Sequence, residues 1–341
     1  MNMTTTPSIS VVVIGRNEGP RLARCLESVR RTPGFDTSRT ELIYVDSASK
    51  DGSSELAARY GAQVIVLNAQ RTTAALGRNA GWRAAKGEFI LFLDGDTILH
   101  PDFVSAALAP MLEDPSIVAV WGHRREIHPE ASIYNRILDL DWVYAPGIAE
   151  FCGGDVLMRR SALEEAGGYD AELIAGEEPE LCRRMRARGY RILHIDHPMT
   201  GHDLQITRFG QYWKHAARAG HAFAEISARF RSSDDKFWDA ERKRNLIRGS
   251  FWMSSVAVAL IASLLAFTAI PFLIWLVLLL VMSLRSAWKS RWKSRDIAAL
   301  LMYGVHSHLQ QVPICVGQIR YALDQKRGNR RTLIEYKEPA K

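Results

Sequence analysis

Glu88-Phe89-Ile90-Leu91-Phe92-Leu93-Asp94-Gly95-Asp96-Thr97 is the stretch on which the fold turns. Five consecutive apolar residues read as a short strand buried on both faces, the pattern of an inner strand in a parallel sheet. The strand stops on two aspartates that flank a glycine. Ionised carboxylates at the end of a buried strand need a partner, because an unpaired buried charge is costly. A hard divalent cation held by one or two carboxylates and by substrate phosphates is such a partner. Gly95 would let a diphosphate come close to the backbone. Asp-Gly is also ordinary turn chemistry, so the motif gains its weight from what surrounds it.

Upstream, Ile9 to Ile14 reads as a first buried strand, followed by the loop Gly15-Arg16-Asn17-Glu18-Gly19. Pro20 suits a first helical position, and Leu22, Cys25, Leu26 and Val29 recur at helical spacing to about Arg31. Glu41 to Asp46 gives a second strand that also ends on an acid, and the turn-rich Ser47-Ala48-Ser49-Lys50-Asp51-Gly52-Ser53 follows. A short helix over 54–60, a strand over 64–67 and a helix over 73–86 lead into the Asp-Gly-Asp strand. Alternating strands and helices predict an α/β domain with a largely parallel sheet. Ligands of such sheets bind outside the carboxyl ends of the strands. Glu18, Asp46, Asp94 and Asp96 all lie at or just past such ends, so four acids gather around one edge.

Downstream, a helix after Pro101 runs to about Leu112, and Ile117 to Trp121 is another strand. His123 to Pro129 reads as polar and irregular, and 131–144 as a helix. Cys152-Gly153-Gly154-Asp155-Val156-Leu157-Met158-Arg159-Arg160 is a strand entered through paired glycines. Gly167-Gly168-Tyr169-Asp170 is a turn. Gly176-Glu177-Glu178-Pro179-Glu180 opens a helix ending near Gly189, and 190–195 is a last short strand.

At 341 residues, with 47% hydrophobic and 24% charged, the chain is globular in composition. Its four cysteines are scattered without a Cys-x-x-Cys pair, which argues against a zinc site or disulfide framework and fits a reducing compartment. No signal peptide is expected, because Met1 to Ser8 lacks a basic stretch and the first apolar run is too short. The net charge of +7 is local: twelve Lys/Arg and four Asp/Glu lie between Arg229 and Arg295. That surplus flanks the uncharged block Gly249 to Leu284, a placement that points to a membrane surface and away from nucleic acid.

Taken in order, the Arg16-Asn17-Glu18 loop, Val45-Asp46-Ser47, Gly77-Arg78-Asn79, Asp94-Gly95-Asp96, Gly167-Gly168-Tyr169-Asp170 and Gly176-Glu177-Glu178 resemble the stations of family 2 glycosyltransferases with a GT-A fold. The resemblance covers roughly Ile9 to Phe230. It implies a Rossmann-like, mostly parallel sheet with flanking helices, here followed by a membrane-associated helical region. It implies a nucleotide-sugar donor across the sheet edge, with Asn17, Glu18 and Asp46 toward the base and ribose. Asp94 and Asp96 would hold the ribose and a diphosphate bridged by Mg²⁺ or Mn²⁺, with Arg71 and Arg78 adding positive charge. Glu178 stands at the family's general-base position, where an aspartate is usual, with Glu177 beside it. An adjacent acid raises a carboxyl pKa and so suits a base. Gly153, Gly154, Asp155 and Glu177 would line the acceptor side. Some GT-A enzymes use a late histidine as a further metal ligand, which brings in His202, although a surface position is its plainer reading.

Gln205-Ile206-Thr207-Arg208-Phe209 is similar to the Gln-x-x-Arg-Trp signature of processive members, but Phe replaces Trp and the membrane region is short. A sugar-1-phosphate nucleotidyltransferase would need a Gly-rich phosphate loop after the first strand, and Gly15-Arg16-Asn17-Glu18 is not one. A catalytically silent membrane scaffold is the other rival, opposed by the intact acids.

Gly249 to Leu284 exceeds the ~20 apolar residues of one span, and Pro271 divides it at a point suited to a turn. The predicted layout is a catalytic domain over 1–230, a basic linker over 231–248, a transmembrane hairpin over 249–284 and a basic, interfacial tail over 285–341. Polar His306, His308, Gln310 and Gln311 make Ile297 to Ile319 an interfacial helix rather than a span. The expectation is an enzyme of the bacterial plasma membrane with its catalytic domain in the cytoplasm, acting on a lipid-linked or membrane-proximal acceptor.

Overall fold

The computed structural model of the chain describes residues 8–33, 35, 40–68 and 72–328. They form two compact units. The first holds the described residues up to Ile127 and Trp142–Leu204; the second holds His128–Asp141 and the described residues from Gln205 on.

The first unit begins as β1 (Ile9–Gly15), α1 (Pro20–Arg30), β2 (Thr40–Asp46), α2 (Ser53–Arg59), β3 (Gln63–Val66), α3 (Ala74–Ala84) and β4 (Phe89–Asp94). It continues through β5 (Thr97–Leu99), α4 (Phe103–Glu113) and β6 (Ile117–Glu126). After α5 (Ile133–Asp139), which belongs to the second unit, come β7 (Gly147–Ala149), β8 (Val156–Arg159), α6 (Arg160–Ala166), α7 (Glu177–Arg186) and β9 (Arg191–His202). The sheet runs β3-β2-β1-β4-β8-β6-β9-β5, with β7 on β9. Its first four strands are parallel; β8 runs antiparallel between β4 and β6, and β9 lies parallel to β6. The apolar run of β4 is fully buried, as are Val12, Val13, Ile43 and Val45 on its neighbours. Helix α1 buries the side expected of it, through Leu22, Cys25, Leu26 and Val29. Helix α3 lies so close that a Cβ at Gly81 would overlap Val12.

Three segments differ from the sequence reading. The stretch after Trp121 is strand, not irregular, and β6 reaches Glu126. The last strand runs on to His202, twelve residues in all. Register shifts around His123, which pairs with Pro198, break the alternation that would have marked both strands. Polar residues and a proline at a bulge look like a loop in sequence. The helix expected over 131–144 is a single turn, a short α5 and a 3-10 turn.

The second unit packs α5 with α8 (Phe209–Arg229), α9 (Asp239–Leu265), α10 (Ile270–Lys289), α11 (Ile297–Leu309) and α12 (Gln311–Lys326). The sheet unit therefore ends before the boundary near 230, and most of the basic linker is the first turns of α9. Helices α9 and α10 form a hairpin through residues 266–269, and both are long and apolar enough to cross a membrane, with mean hydropathies of 1.5 and 2.1 over an 18-residue stretch of each. Their large apolar side chains stand outward, Phe267 at the tip being 96% exposed. Instead of one interfacial helix over 297–319 there are two, α11 and α12, meeting at Gln310. Their polar residues turn inward: His306 meets Tyr212 Oη at 2.9 Å and Asp141 at 3.2 Å, and His308 meets Ser286 at 2.9 Å. Pairing of this kind removes the cost that marked the segment as unfit for an apolar setting.

Candidate active site

The parallel strands β1, β2 and β4 deliver their carboxyl ends to one edge. Because β6 and β9 run in the same direction as β4, their ends arrive there as well, and antiparallel β8 starts there. This topology gathers Asp94, Arg124, Asp155 and His202. Helices α3 and α7 add Arg78 and the Glu177-Glu178 pair.

Arg78 is the hub. Its Nη1 lies 2.9 Å from Glu177 Oε1 and 3.1 Å from Glu178 Oε1, and its Nη2 lies 2.9 Å from Asp94 Oδ1. The Tyr169 ring faces the guanidinium at 5.7 Å. Gly154 makes room for this cluster: a Cβ there would overlap Arg78 Nη2 and stand 3.1 Å from Asp94 Oδ2 and 3.2 Å from Glu178 Oε1. Gly153 faces open space. Arg124 approaches Asp94 Oδ2 at 3.6 Å and Asp155 Oδ2 at 3.8 Å, with its guanidinium 4.9 Å from the Trp142 ring. Four carboxylates, Asp94, Asp155, Glu177 and Glu178, thus share two guanidinium groups. Such an excess favours either a bound cation or a proton on one of the acids.

Glu178 is where the proton goes. Burial, and then the neighbouring Glu177, push its carboxyl up to about 7 against the pull of Arg78. Its side chain keeps 15% exposure, whereas Glu177 is buried at 4%. Among the described residues Glu177 Oε2 has no hydrogen-bond partner.

Asp96 Oδ1 lies 3.4 Å from His202 Nε2, and both side chains are buried. His202 is therefore no surface histidine. Burial, then Arg124, lower its pKa to about 3, so the imidazole is neutral near pH 7. Its Nδ1 has no hydrogen-bond partner among the described residues, and the Trp142 ring stands edge-on to it at 4.8 Å. No group of three or more His, Cys, Asp or Glu side chains is placed to hold a metal among the described residues. Asp96 and His202 make a pair.

Several expected site residues have other surroundings. Asp155, expected on the acceptor side, is fully buried; it accepts from the Asp94 backbone N–H at 2.9 Å and the Thr200 hydroxyl at 2.8 Å. It fixes the end of β4 from behind. Asp46 is also buried, accepting from the Ser49 N–H at 2.6 Å and the Ser54 hydroxyl. It shapes the loop after β2 rather than presenting an open carboxylate. Asn17, at φ 54°, ties the two loops together: its N–H donates to Ser49 Oγ and its Oδ1 accepts from the Lys50 N–H, both at 2.8 Å. Glu18 pairs with Arg21 at 2.9 Å and lies against Gly95. Arg71 falls outside the described residues.

The family model for glycosyl transferase family 2 matches residues 10–167, and that for glycosyl transferase family group 2 matches residues 89–303. The chain belongs to glycosyltransferase family 2. It is a transferase that draws on a nucleotide-sugar donor, which sets aside the nucleotidyltransferase rival.

Among curated relatives of the transferase, glycosyltransferase AglE of Haloferax volcanii is 22% identical, over 65% of this chain and 75% of that protein. Probable glycosyltransferase YdaM of Bacillus subtilis is 23% identical over 71% and 61% respectively. Poly-beta-1,6-N-acetyl-D-glucosamine synthase of Staphylococcus aureus is 23% identical over 67% and 58%. The chain therefore spans less than two thirds of the latter two proteins. Mannosyltransferase PcManGT from Pyrobaculum calidifontis, solved in complex with GDP-Man and Mn²⁺, shares the fold with a TM-score of 0.67 at 20% identity. That match covers 94% of this chain and 89% of that one.

Arg124, Trp142 and Thr200 of the transferase are site residues that sequence reasoning missed. Arg124 and Thr200 sit in the polar halves of β6 and β9. The one signal for them was the arginine pair Arg124-Arg125 directly after a buried strand that points at the acidic edge.

Proposed function

We propose that this transferase catalyses metal-assisted, inverting sugar transfer from a nucleotide-sugar donor to a lipid-linked or membrane-proximal acceptor. The observation that carries the reading is Glu178: a carboxyl held near neutral pKa, at the sheet edge, next to the acids at the end of β4. As general base it takes the acceptor hydroxyl's proton while that oxygen attacks the anomeric carbon from the face opposite the leaving diphosphate. Arg78 holds Glu178 and Asp94 in one frame, and Glu177 keeps the carboxyl of Glu178 basic enough for the task.

The donor nucleoside lies along the ends of β1 and β2, within the loops that Asn17, Glu18 and Asp46 shape. Its diphosphate reaches Asp94 and Asp96 over Gly95. The residues present fit a divalent ion: a buried carboxylate oxygen and a neutral imidazole, Asp96 and His202, converge, and no cluster of three metal-ligating side chains forms among the described residues. That leaves coordination to substrate phosphates, and the oxygen–nitrogen donor set suits Mn²⁺ at least as well as Mg²⁺. When bound, the ion neutralises charge that develops on the leaving nucleoside diphosphate. PcManGT, which shares the fold, was solved with both a nucleotide sugar and Mn²⁺, and so supports the same pairing here. Asp94, engaged by Arg78 and Arg124, serves the ribose and diphosphate side.

Asp96→Asn keeps the shape of the side chain and removes its charge. Donor binding by calorimetry is expected to lose its dependence on Mn²⁺, and turnover to fall at least ~10-fold. Near-wild-type turnover of this variant in the presence of EDTA would overturn the metal assignment.

The apolar helices α9 and α10 support a membrane attachment. At about 1.5 Å per residue, the uncharged part of α10 from Ile270 to Leu284 reaches about 22 Å into a ~30 Å hydrocarbon core, a shortfall met by a snorkelling Arg285 and local thinning of the bilayer. The basic clusters on both flanks favour the cytoplasmic side, so the hairpin enters and leaves there, in a bacterial plasma membrane. Single cysteines at Ser233 and Ser294, in a background without the native cysteines, should both be protected from a membrane-impermeant thiol reagent on intact cells. Labelling of Ser294→Cys from outside would replace the hairpin by a single tilted span.

A further inference from the structure

We propose that the segment from Arg285 to Arg295 is a binding surface for the headgroups of anionic phospholipids; the inference rests on the membrane reading of α9 and α10. Trp288-Lys289-Ser290-Arg291-Trp292-Lys293-Ser294-Arg295 repeats the tetrad Trp-Lys-Ser-Arg twice. It begins in the last turn of α10 and continues through the turns that lead to α11. Trp288 and Trp292 are 68% and 57% exposed, which for two indoles at the end of an apolar helix marks an interfacial position. Arg285, Lys289, Arg291 and Arg295 are also exposed. The Arg291 guanidinium lies 4.5 Å from the Trp288 ring centroid, so cation and indole present themselves together.

The charge of this segment is uncompensated. Asp296 is the sole acid between Gly249 and Leu323, and it is occupied by Arg136 and by capping α11. Among the described residues none of the four exposed cations is ion-paired with a carboxylate. Part of the upstream basic cluster is neutralised locally. There Arg242 and Lys243 pair with Asp239 at 2.9 and 2.7 Å, and Arg244 pairs with Glu241 at 3.5 Å. Both flanks are basic in sequence, and the cations of the downstream one stand beside two exposed indoles. Lys293 does not take part: its Nζ donates to Leu140 O at 2.7 Å and lies 3.3 Å from Tyr303 Oη, which pins the middle of the segment. Four exposed cations without a carboxylate partner among the described residues, Arg291 also donating to the Trp288 carbonyl at 2.9 Å, stand beside two interfacial indoles. They fit a lipid phosphate at the bilayer surface, since cations there attract anionic lipid and indoles seek the headgroup level. A soluble phosphate would have no use for the indoles.

The full chain, reconstituted into phosphatidylglycerol/phosphatidylcholine vesicles with bromine on the acyl chains of one lipid at a time, tests this by tryptophan quenching. Quenching lost in the Trp288→Phe/Trp292→Phe variant isolates the relevant indoles. At equal mole fractions, brominated phosphatidylglycerol should quench them roughly threefold more than brominated phosphatidylcholine, given the attraction of several cations to an anionic surface. The preference should vanish in K289Q/R291Q/R295Q, which leaves the helices and Lys293 intact. Equal quenching by both lipids, or an unchanged preference in the triple variant, overturns the inference. So does its abolition by excess inorganic phosphate, which would assign the cations to free anions. If the chain fails to float with vesicles of either lipid, the membrane reading falls as well; if it floats without preference, only this inference does.

Discussion

Glu178→Gln is expected to lower kcat by ~10²–10⁴-fold, the usual worth of general-base catalysis, while donor affinity by calorimetry stays near wild type. The amide keeps the size of the side chain and its acceptor oxygen toward Arg78, but it cannot take a proton. Wild-type kcat/KM should climb with pH and flatten above about 7, where burial and Glu177 place the Glu178 carboxyl. The sign follows from the role: a base works deprotonated, so a raised pKa moves the rise in rate to higher pH. Glu178→Asp, which restores the acid usual at this position but shortens it by a methylene, should keep more activity than the glutamine variant. A loss below about threefold in Glu178→Gln would mean that another group takes the proton.

Arg78→Ala is expected to cost about 3–5 kcal/mol of stability and to abolish turnover. The guanidinium and Glu177 are 3% and 4% exposed, and removing one partner of a buried pair leaves the other charged and unmatched. Asp94 and Glu178 would lose the same partner. Adding Glu177→Gln removes one of the stranded charges, so the double variant should recover part of the stability without recovering activity. Thermal unfolding of the purified variants reads this directly. A melting curve like that of wild type for Arg78→Ala would show that the cluster is not held together by this residue.

The readable part of the molecule is the part where local pattern and burial agree. The five-residue apolar run before Asp94 is buried on both faces, as its composition requires, and the acids at the strand end and at the start of α7 meet at one edge. An arginine on a helix is usually solvated, and only the fold shows that Arg78 points inward to three carboxylates. Arg124, Thr200 and the burial of His202 were hidden, since β6 and β9 become polar and bulged as they enter the site and so lose the alternation of a half-buried strand. Asp46 stands at the end of β2 as expected and Asp155 just before β8, but sequence carries no sign of which carboxylate faces a ligand and which satisfies a backbone N–H. In the helices, His306 and His308 looked unfit for an apolar unit because their partners Asp141, Tyr212 and Ser286 are remote in sequence.

The central claim is best tested on the products. Membranes containing the wild-type chain should be given UDP-, GDP- and dTDP-sugars in turn, with release of free nucleotide and the anomeric configuration of the transferred sugar measured by NMR. The account predicts that one donor releases its nucleoside diphosphate only with a divalent cation present. The sugar should appear on a lipid-extractable product with inverted configuration, and Glu178→Gln should abolish both signals. Retained configuration, release unaffected by EDTA, or no turnover of any donor by the folded protein would contradict it.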